Sequence, residues 1–188
     1  MNAMVQVAQR MTADEYLAMP FDERRTELVE GEVIVHLPLS LHQFALLDVQ
    51  RALDEWARAM AGRGSISMPL DVKLDERNVF GPDLLWYAEG RVPGRHDPRP
   101  YAVPDLAVEV RSPSTWRYDI GAKKSAYERA GLSELWLVDT AASEVLIFRR
   151  SSPRAPSFDV SLELAVGDEL TSPQLPGFAL ALSSLFGD

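Results

Sequence analysis

With 188 residues, 46% of them hydrophobic and 25% charged, the chain has ordinary globular usage and can bury a core without staples. It contains no cysteine, which excludes a disulfide framework, a thiolate metal site and a cysteine nucleophile. A net charge of −9 counts against tight, nonspecific nucleic-acid binding by the chain as a whole, but leaves room for a local basic patch or a metal at a carboxylate site.

The N-terminal residues lack the basic, apolar and small-residue order of a secretory signal. No apolar run approaches the ~20 residues that a membrane span needs, so a soluble, cytoplasmic protein is expected. Thr12 and Glu15 form a T-x-x-E capping box ahead of Tyr16, Leu17 and Met19, and Pro20 ends that short helix. Glu27 to Val35 reads as a hairpin turning near Glu30-Gly31. Leu41, Ala45, Val49, Leu53, Trp56 and Met60 recur at helical spacing and predict a long amphipathic helix that stops near Gly62 and Gly64.

Strands are expected over Ile66 to Leu74, Asp83 to Tyr87 and Leu106 to Arg111, with a Pro-rich loop from Pro93 to Pro104 before the third. Ser114 or Thr115 can cap a helix over roughly Arg117 to Ala130, closed by Gly131. Leu135 to Val138 and Val145 to Phe148 read as strands around a turn near Thr140 to Ser143, and Ser151 to Pro156 is a second loop. A further strand lies near Phe158 to Leu164, and the chain ends in Pro176-Gly177-Phe178 and the largely apolar Ala179 to Phe186. No repeat or linker divides it. Residues 1–188 therefore read as a single mixed α/β or α+β domain with one main sheet.

On the strand after Pro104, Leu106, Val108 and Val110 face one way and Ala107, Glu109 and Arg111 the other. A central strand would be apolar on both faces, and a buried carboxylate is costly unless it is paired or binds a cation. Either Glu109 is a solvated charge on an edge strand, paired with Arg111, or it belongs to a site. Asp83 opens an equally apolar strand, and two carboxylates from neighbouring strands can hold a divalent cation such as Mg2+. Asp119, Lys123 and Tyr127 are spaced four apart and share a helical face. That face is either an ordinary surface ion pair or brings Lys123 to the two carboxylates, to orient water or stabilise phosphoryl charge.

The run Pro104 to Thr115, followed by Asp119, Lys123, Tyr127, Ala130-Gly131 and Glu134 to Asp139, resembles the Uma-two family of putative restriction endonucleases. The similarity extends back through Met11-Thr12, Tyr16-Leu17, Glu27 to Glu32, His42-Gln43 and Gly81 to Leu84, and forward to Leu175 to Phe178 and Leu185-Phe186. The resemblance implies a restriction-endonuclease-like fold of the PD-(D/E)XK superfamily, a mixed β-sheet flanked by helices. It implies Asp83 and Glu109 as the acidic positions and a lysine moved from strand to helix, matching Lys123. Arg111 stands where the superfamily motif has lysine; it can grip phosphate but is a poor base, so the basic role is open between Arg111 and Lys123.

The expected metal ligands are Asp83, Glu109, the Val110 carbonyl and Glu27, with Glu27 equally readable as a solvated hairpin charge. His42, Trp116 and Tyr127 are candidate substrate contacts, while Trp56, Trp86 and Trp136 sit in apolar runs and are expected in the core. The expected activity is Mg2+-dependent hydrolysis of phosphodiester bonds in DNA, with Mn2+ as a substitute metal, by a homodimer. The alternative is a catalytically inactive nucleic-acid- or protein-binding accessory module with the same fold.

Overall fold

The capping box forms as the sequence predicts in the computed structural model, which describes residues 10–20 and 24–187. Residues 1–9, on which the reading of the N-terminus rests, lie outside the described residues. The Thr12 hydroxyl accepts from Glu15 N and the Glu15 carboxylate accepts from Thr12 N, starting helix α1 (Ala13–Leu17). Strands β1 (Thr26–Val29) and β2 (Glu32–Val35) form the expected hairpin. Its two turn residues, Glu30 and Gly31, have φ of 50° and 82°. Positive φ at both central positions is the type I′ arrangement that matches strand twist. Gly31 is required there twice over, since a Cβ would also lie 2.7 Å from the Arg10 Cβ.

Helix α2 (Ser40–Arg58) buries the predicted Ala45, Val49, Leu53 and Trp56 together with Leu46, whereas Leu41 at its start and Met60 beyond its end are exposed. The strand expected over Ile66 to Leu74 divides into β3 (Ser65–Ser67) and β4 (Val72–Asp75). Pro69 lies between them and has no N–H for a ladder. A short strand that the sequence did not signal, β5 (Asn78–Phe80), pairs with β4. Then come β6 (Leu84–Tyr87) and β7 (Leu106–Val110). The predicted helix is α3 (Trp116–Tyr118), a π-helical turn over Asp119–Lys123, and α4 (Lys124–Arg129) in succession. It closes as expected: Gly131 has φ 84°, Gly131 N bonds to Glu128 O, and Leu132 N bonds to Tyr127 O. The remaining elements are β8 (Glu134–Asp139), β9 (Glu144–Arg149), β10 (Val160–Ala165), β11 (Glu169–Leu170), β12 (Leu180–Ala181) and α5 (Leu182–Phe186).

A six-stranded mixed sheet, β10-β9-β8-β7-β6-β3, is the expected main sheet, but a four-stranded sheet, β2-β1-β5-β4, and a β11-β12 ribbon accompany it. Strands β7 and β8 are parallel, joined by the helical crossover, and the other pairings within the main sheet are antiparallel. One face of the main sheet packs Leu106, Val108, Val110, Trp136 and Val138 against α2, Leu175, Phe178 and Leu182. The opposite face packs Ala107, Leu135 and Leu137 against Ala126, Tyr127 and Phe80. Each fully buried large apolar side chain contributes about 1.5–3 kcal/mol, so both covered faces hold β7 firmly in place. Among the described residues no helix is long and apolar enough to cross a membrane.

Candidate active site

Strand β7 is central, between β6 and β8, and all five of its residues are buried. Glu109 is 1% exposed, so it is not a solvated edge charge. The β6–β7 register pairs Leu84 with Val108, and one further step places Asp83 opposite Glu109. Both carboxylates therefore lie at the same end of the sheet, where β7 ends.

Each has a defined set of partners. Asp83 Oδ2 accepts from Val110 N at 2.7 Å, and its Oδ1 lies 2.5 Å from the Arg25 guanidinium. His42, from the first turn of α2, stands behind it. Its Nδ1 is 3.0 Å from the Val110 carbonyl, which can only accept, so Nδ1 donates. The other ring nitrogen, Nε2, lies 3.5 Å from Asp83 Oδ1. Burial disfavours the charged imidazole, yet the Asp83 carboxylate outweighs it and raises the His42 pKa. Burial likewise opposes ionisation of Asp83, but His42, Arg25 and the Val110 amide hold its carboxyl well below the usual range.

Lys123 is fully buried at the centre of the other half of the site. Its ammonium lies 2.7 Å from Glu109 Oε1, 2.9 Å from Glu27 Oε2 and 3.0 Å from Asp119 Oδ1. An ammonium has three donors, and here three carboxylates surround it. Tyr127, one turn on, donates its hydroxyl to Glu109 Oε1 at 2.7 Å, and the Thr115 hydroxyl donates to Asp119 Oδ2 at 3.1 Å. Glu27 also accepts from Gly81 N at 2.7 Å and lies 2.7 Å from His36 Nε2.

Three acids around one cation leave a local excess of negative charge. Glu109 takes it up: burial, reinforced by Glu27, Asp119 and Asp83, overrides Lys123 and pushes its carboxyl up to about 8. Glu27 behaves oppositely. Burial opposes its ionisation, but Lys123, His36 and Arg25 hold it at about 2. The Lys123 pKa is raised against the desolvation of its charge by Asp119, Glu109 and Glu27.

The structure thus brings together Asp83, Glu109, Val110, Lys123, Glu27, His42 and Tyr127. It separates Arg111, whose guanidinium makes two 2.8 Å bonds to Asp139 and lies over the Trp116 ring at 5.4 Å. Trp116 is half-buried, and Trp56, Trp86 and Trp136 are core residues as expected. Two participants were missing from the sequence reading, Arg25 and His36. The hairpin register carried the signal: it pairs Thr26 with Val35, so Arg25 opposes His36, and both share a face with Glu27.

Asp83, Glu109 and the Val110 carbonyl are the hard oxygen donors that Mg2+ takes, one or two carboxylates completed by water. Among the described residues, the buried acids Glu27, Asp83, Glu109 and Asp119 face Lys123 and Arg25 as permanent cations, and a divalent ion would favour ionised Glu109 as a ligand. Among the described residues, no three His, Asp or Glu side chains are gathered to chelate an ion by themselves. The donor set therefore fits a two-carboxylate site and not an all-protein cage.

The family model Uma2, described as "Putative restriction endonuclease", matches residues 13–183. No curated protein matches the chain significantly. Among solved structures, a putative nuclease of the family DUF820 from Anabaena variabilis ATCC 29413 aligns with a TM-score of 0.78 at 17% identity. The alignment covers 94% of this chain and 97% of that one, and shows that the two share a fold.

Proposed function

The chain belongs to the Uma2 family of putative restriction endonucleases, and from that premise we propose that it is a metal-dependent endonuclease hydrolysing phosphodiester bonds in DNA. The observation that carries the reading is the juxtaposition of Asp83 and Glu109 across β6 and β7, with the Lys123 ammonium 2.7 Å from Glu109. Asp83, Glu109 and the Val110 carbonyl would hold Mg2+, or Mn2+ in its place. The metal would supply a polarised phosphate oxygen and a more acidic bound water.

The protein's own groups do the rest. Lys123, kept cationic by its carboxylates, stabilises negative charge developing on the phosphate and orients the attacking water. Glu27 has both oxygens occupied by donors, and its role is to anchor Lys123. Tyr127 and Asp119 fix the orientations of Glu109 and Lys123. His42 holds the Val110 carbonyl and presents Nε2 to Asp83 and incoming phosphate. Arg111, bound to Asp139, stays outside the reacting groups.

The test is cleavage of plasmid DNA in Mg2+ or Mn2+ by wild type, Asp83→Ala, Glu109→Ala and Lys123→Ala, with duplex, single-stranded and RNA oligonucleotides as a substrate panel. Cleavage that depends on metal and is lost in all three variants upholds the reading. Equal cleavage by all four proteins refutes it. An inactive binding module is the second reading, favoured by one observation: Asp83 and Glu109 already have protein cations beside them. Absence of cleavage by the wild type would establish it. We propose that two copies pair through the exposed Leu41, Phe44 and Leu47 on α2, in which case Phe44→Lys would shift sedimentation to the monomer.

A further inference from the structure

A cavity of about 600 Å3 opens beside the carboxylate site, between α1, the β1–β2 hairpin and the loops around Leu70 and Tyr101. It shares a wall with the site. Gly81 and Arg25 line the cavity, and the same two residues reach the carboxylates: Gly81 N donates to Glu27, and Arg25 binds both the Gly81 carbonyl and Asp83. A phosphodiester lying at Asp83 and Glu109 would therefore run directly past the cavity mouth.

Among the described residues, the cavity walls carry three arginines, Arg24, Arg25 and Arg99, and one acid, Asp71. Arg99 is held in place by Asp71 at 3.0 Å and by the Leu17 carbonyl, so its guanidinium is already positioned. The aromatic rings of Tyr16 and Tyr101 and several apolar side chains complete the walls. Guanidinium groups beside aromatic rings make a chemical match for a nucleotide: phosphate for the cations, a flat base for the rings. The volume falls within the roughly 300–1,000 Å3 range of small-molecule sites, which admits one nucleotide and excludes a base-paired duplex.

We propose that this cavity binds one unstacked nucleotide of the substrate strand, next to the phosphodiester presented to Asp83 and Glu109. This extends the nuclease reading and rests on it for the identity of the strand. The consequence is a preference for unpaired nucleic acid, single strands, flaps or bulges, over intact duplex, because a paired base must first leave its stack to enter.

Binding in EDTA tests it without any cleavage. The probes are a fluorescein-labelled tetradeoxynucleotide, the same sugar-phosphate chain without bases, and a blunt 12-base-pair duplex. Stacking of a base is worth about 1–3 kcal/mol, so the single strand should bind about 5- to 150-fold tighter than the abasic chain or the duplex. Val33→Trp, which fills the cavity from the exposed side of β2, and Arg99→Ala should each abolish that difference. Arg99 also braces Asp71, and Val33→Trp keeps the test valid where loss of that brace disturbs folding.

Equal binding of base-bearing and abasic chains, or a preference that survives Val33→Trp, overturns the proposal. Failure of the nuclease reading looks different: no plasmid cleavage, with the preference for bases intact and sensitive to Val33→Trp. Duplex cleavage without that preference removes the cavity proposal alone.

Discussion

Replacing Lys123 by methionine keeps most of the side-chain volume and removes one buried charge. Removing one partner of a buried ion pair costs about 3–5 kcal/mol. Here three carboxylates lose their cation, but they do not lose equally. Glu109, whose carboxyl burial already pushes up to about 8 against Lys123, has the least to lose. Buried Asp119 loses its ion-pair partner, and buried Glu27 is left with His36 and Arg25 as positive neighbours. Such groups escape by binding a proton, which raises their folded pKa above the unfolded value. Stability then falls as pH rises between the two values, by about 1.4 kcal/mol per pH unit for each carboxylate that takes up a proton. The expected penalty is therefore about 3–5 kcal/mol at pH 7.5, shrinking by about 2–3 kcal/mol at pH 5.5. Urea unfolding followed by far-ultraviolet circular dichroism at the two pH values measures it. A variant unfolded at pH 7.5 should refold on acidification. A penalty below about 1 kcal/mol, or one independent of pH, would refute the picture of Lys123 as the cation that keeps Glu27 and Asp119 ionised.

The other predictions probe single links. Glu109→Gln removes a carboxyl whose folded pKa lies above its unfolded value, so the wild type should lose stability relative to the variant between about pH 4.5 and 8; parallel pH profiles in urea melts would count against that shift. Arg25→Ala removes the guanidinium 2.5 Å from Asp83, and calorimetry should show Mn2+ binding about tenfold tighter, equivalent to ~1.4 kcal/mol; unchanged or weaker binding would speak against Asp83 as a ligand. Glu134→Ala leaves the Trp136 Nε1–H and the Ser172 hydroxyl without their buried acceptor and should cost about 2–4 kcal/mol in urea melts while Mn2+ affinity stays the same.

Legibility from sequence followed the range of the interactions. Helix α2, the hairpin and the Gly131 cap depend on neighbours within a few residues, and their signals of spacing and turn chemistry were readable. The failures were of two kinds. Pro69 broke a run that looked like one strand, and β5 was too short, at three residues, for its alternation to register. In the candidate site, Asp83 and Glu109 stood out because each marks an apolar strand, and Lys123 because it is spaced four residues from Asp119 and Tyr127. Arg25 escaped because the hairpin register only places it beside Glu27; its meaning depends on Asp83, 58 residues later in the chain. The role of Glu27 was ambiguous for the same reason. A Glu in a hairpin reads as solvated until Lys123 and Gly81 are seen to take both of its oxygens.

The exchange of Arg111 for Lys123 has a structural logic that spacing alone could not supply. Alternation along a strand puts residue 111 on the same face as Glu109, but β7 ends at Val110, and the Arg111 amide bonds to the Val138 carbonyl. Beyond the last strand residue the side chain is no longer bound to the pleat, and Asp139 at the end of β8 captures it. A cation for Glu109 must then come from the layer above the sheet. The crossover helix passes over that face, and its π-helical turn buries both Asp119 and Lys123, with Tyr127 one α-helical turn further on. A π turn in mid-helix gives up favourable hydrogen-bond geometry and persists only where the surrounding contacts compensate. Those contacts are the three carboxylates around Lys123 and the Tyr127 bond to Glu109. The strand ending and the π turn are thus two parts of one arrangement, in which losing the strand cation is matched by turning a helical lysine inward.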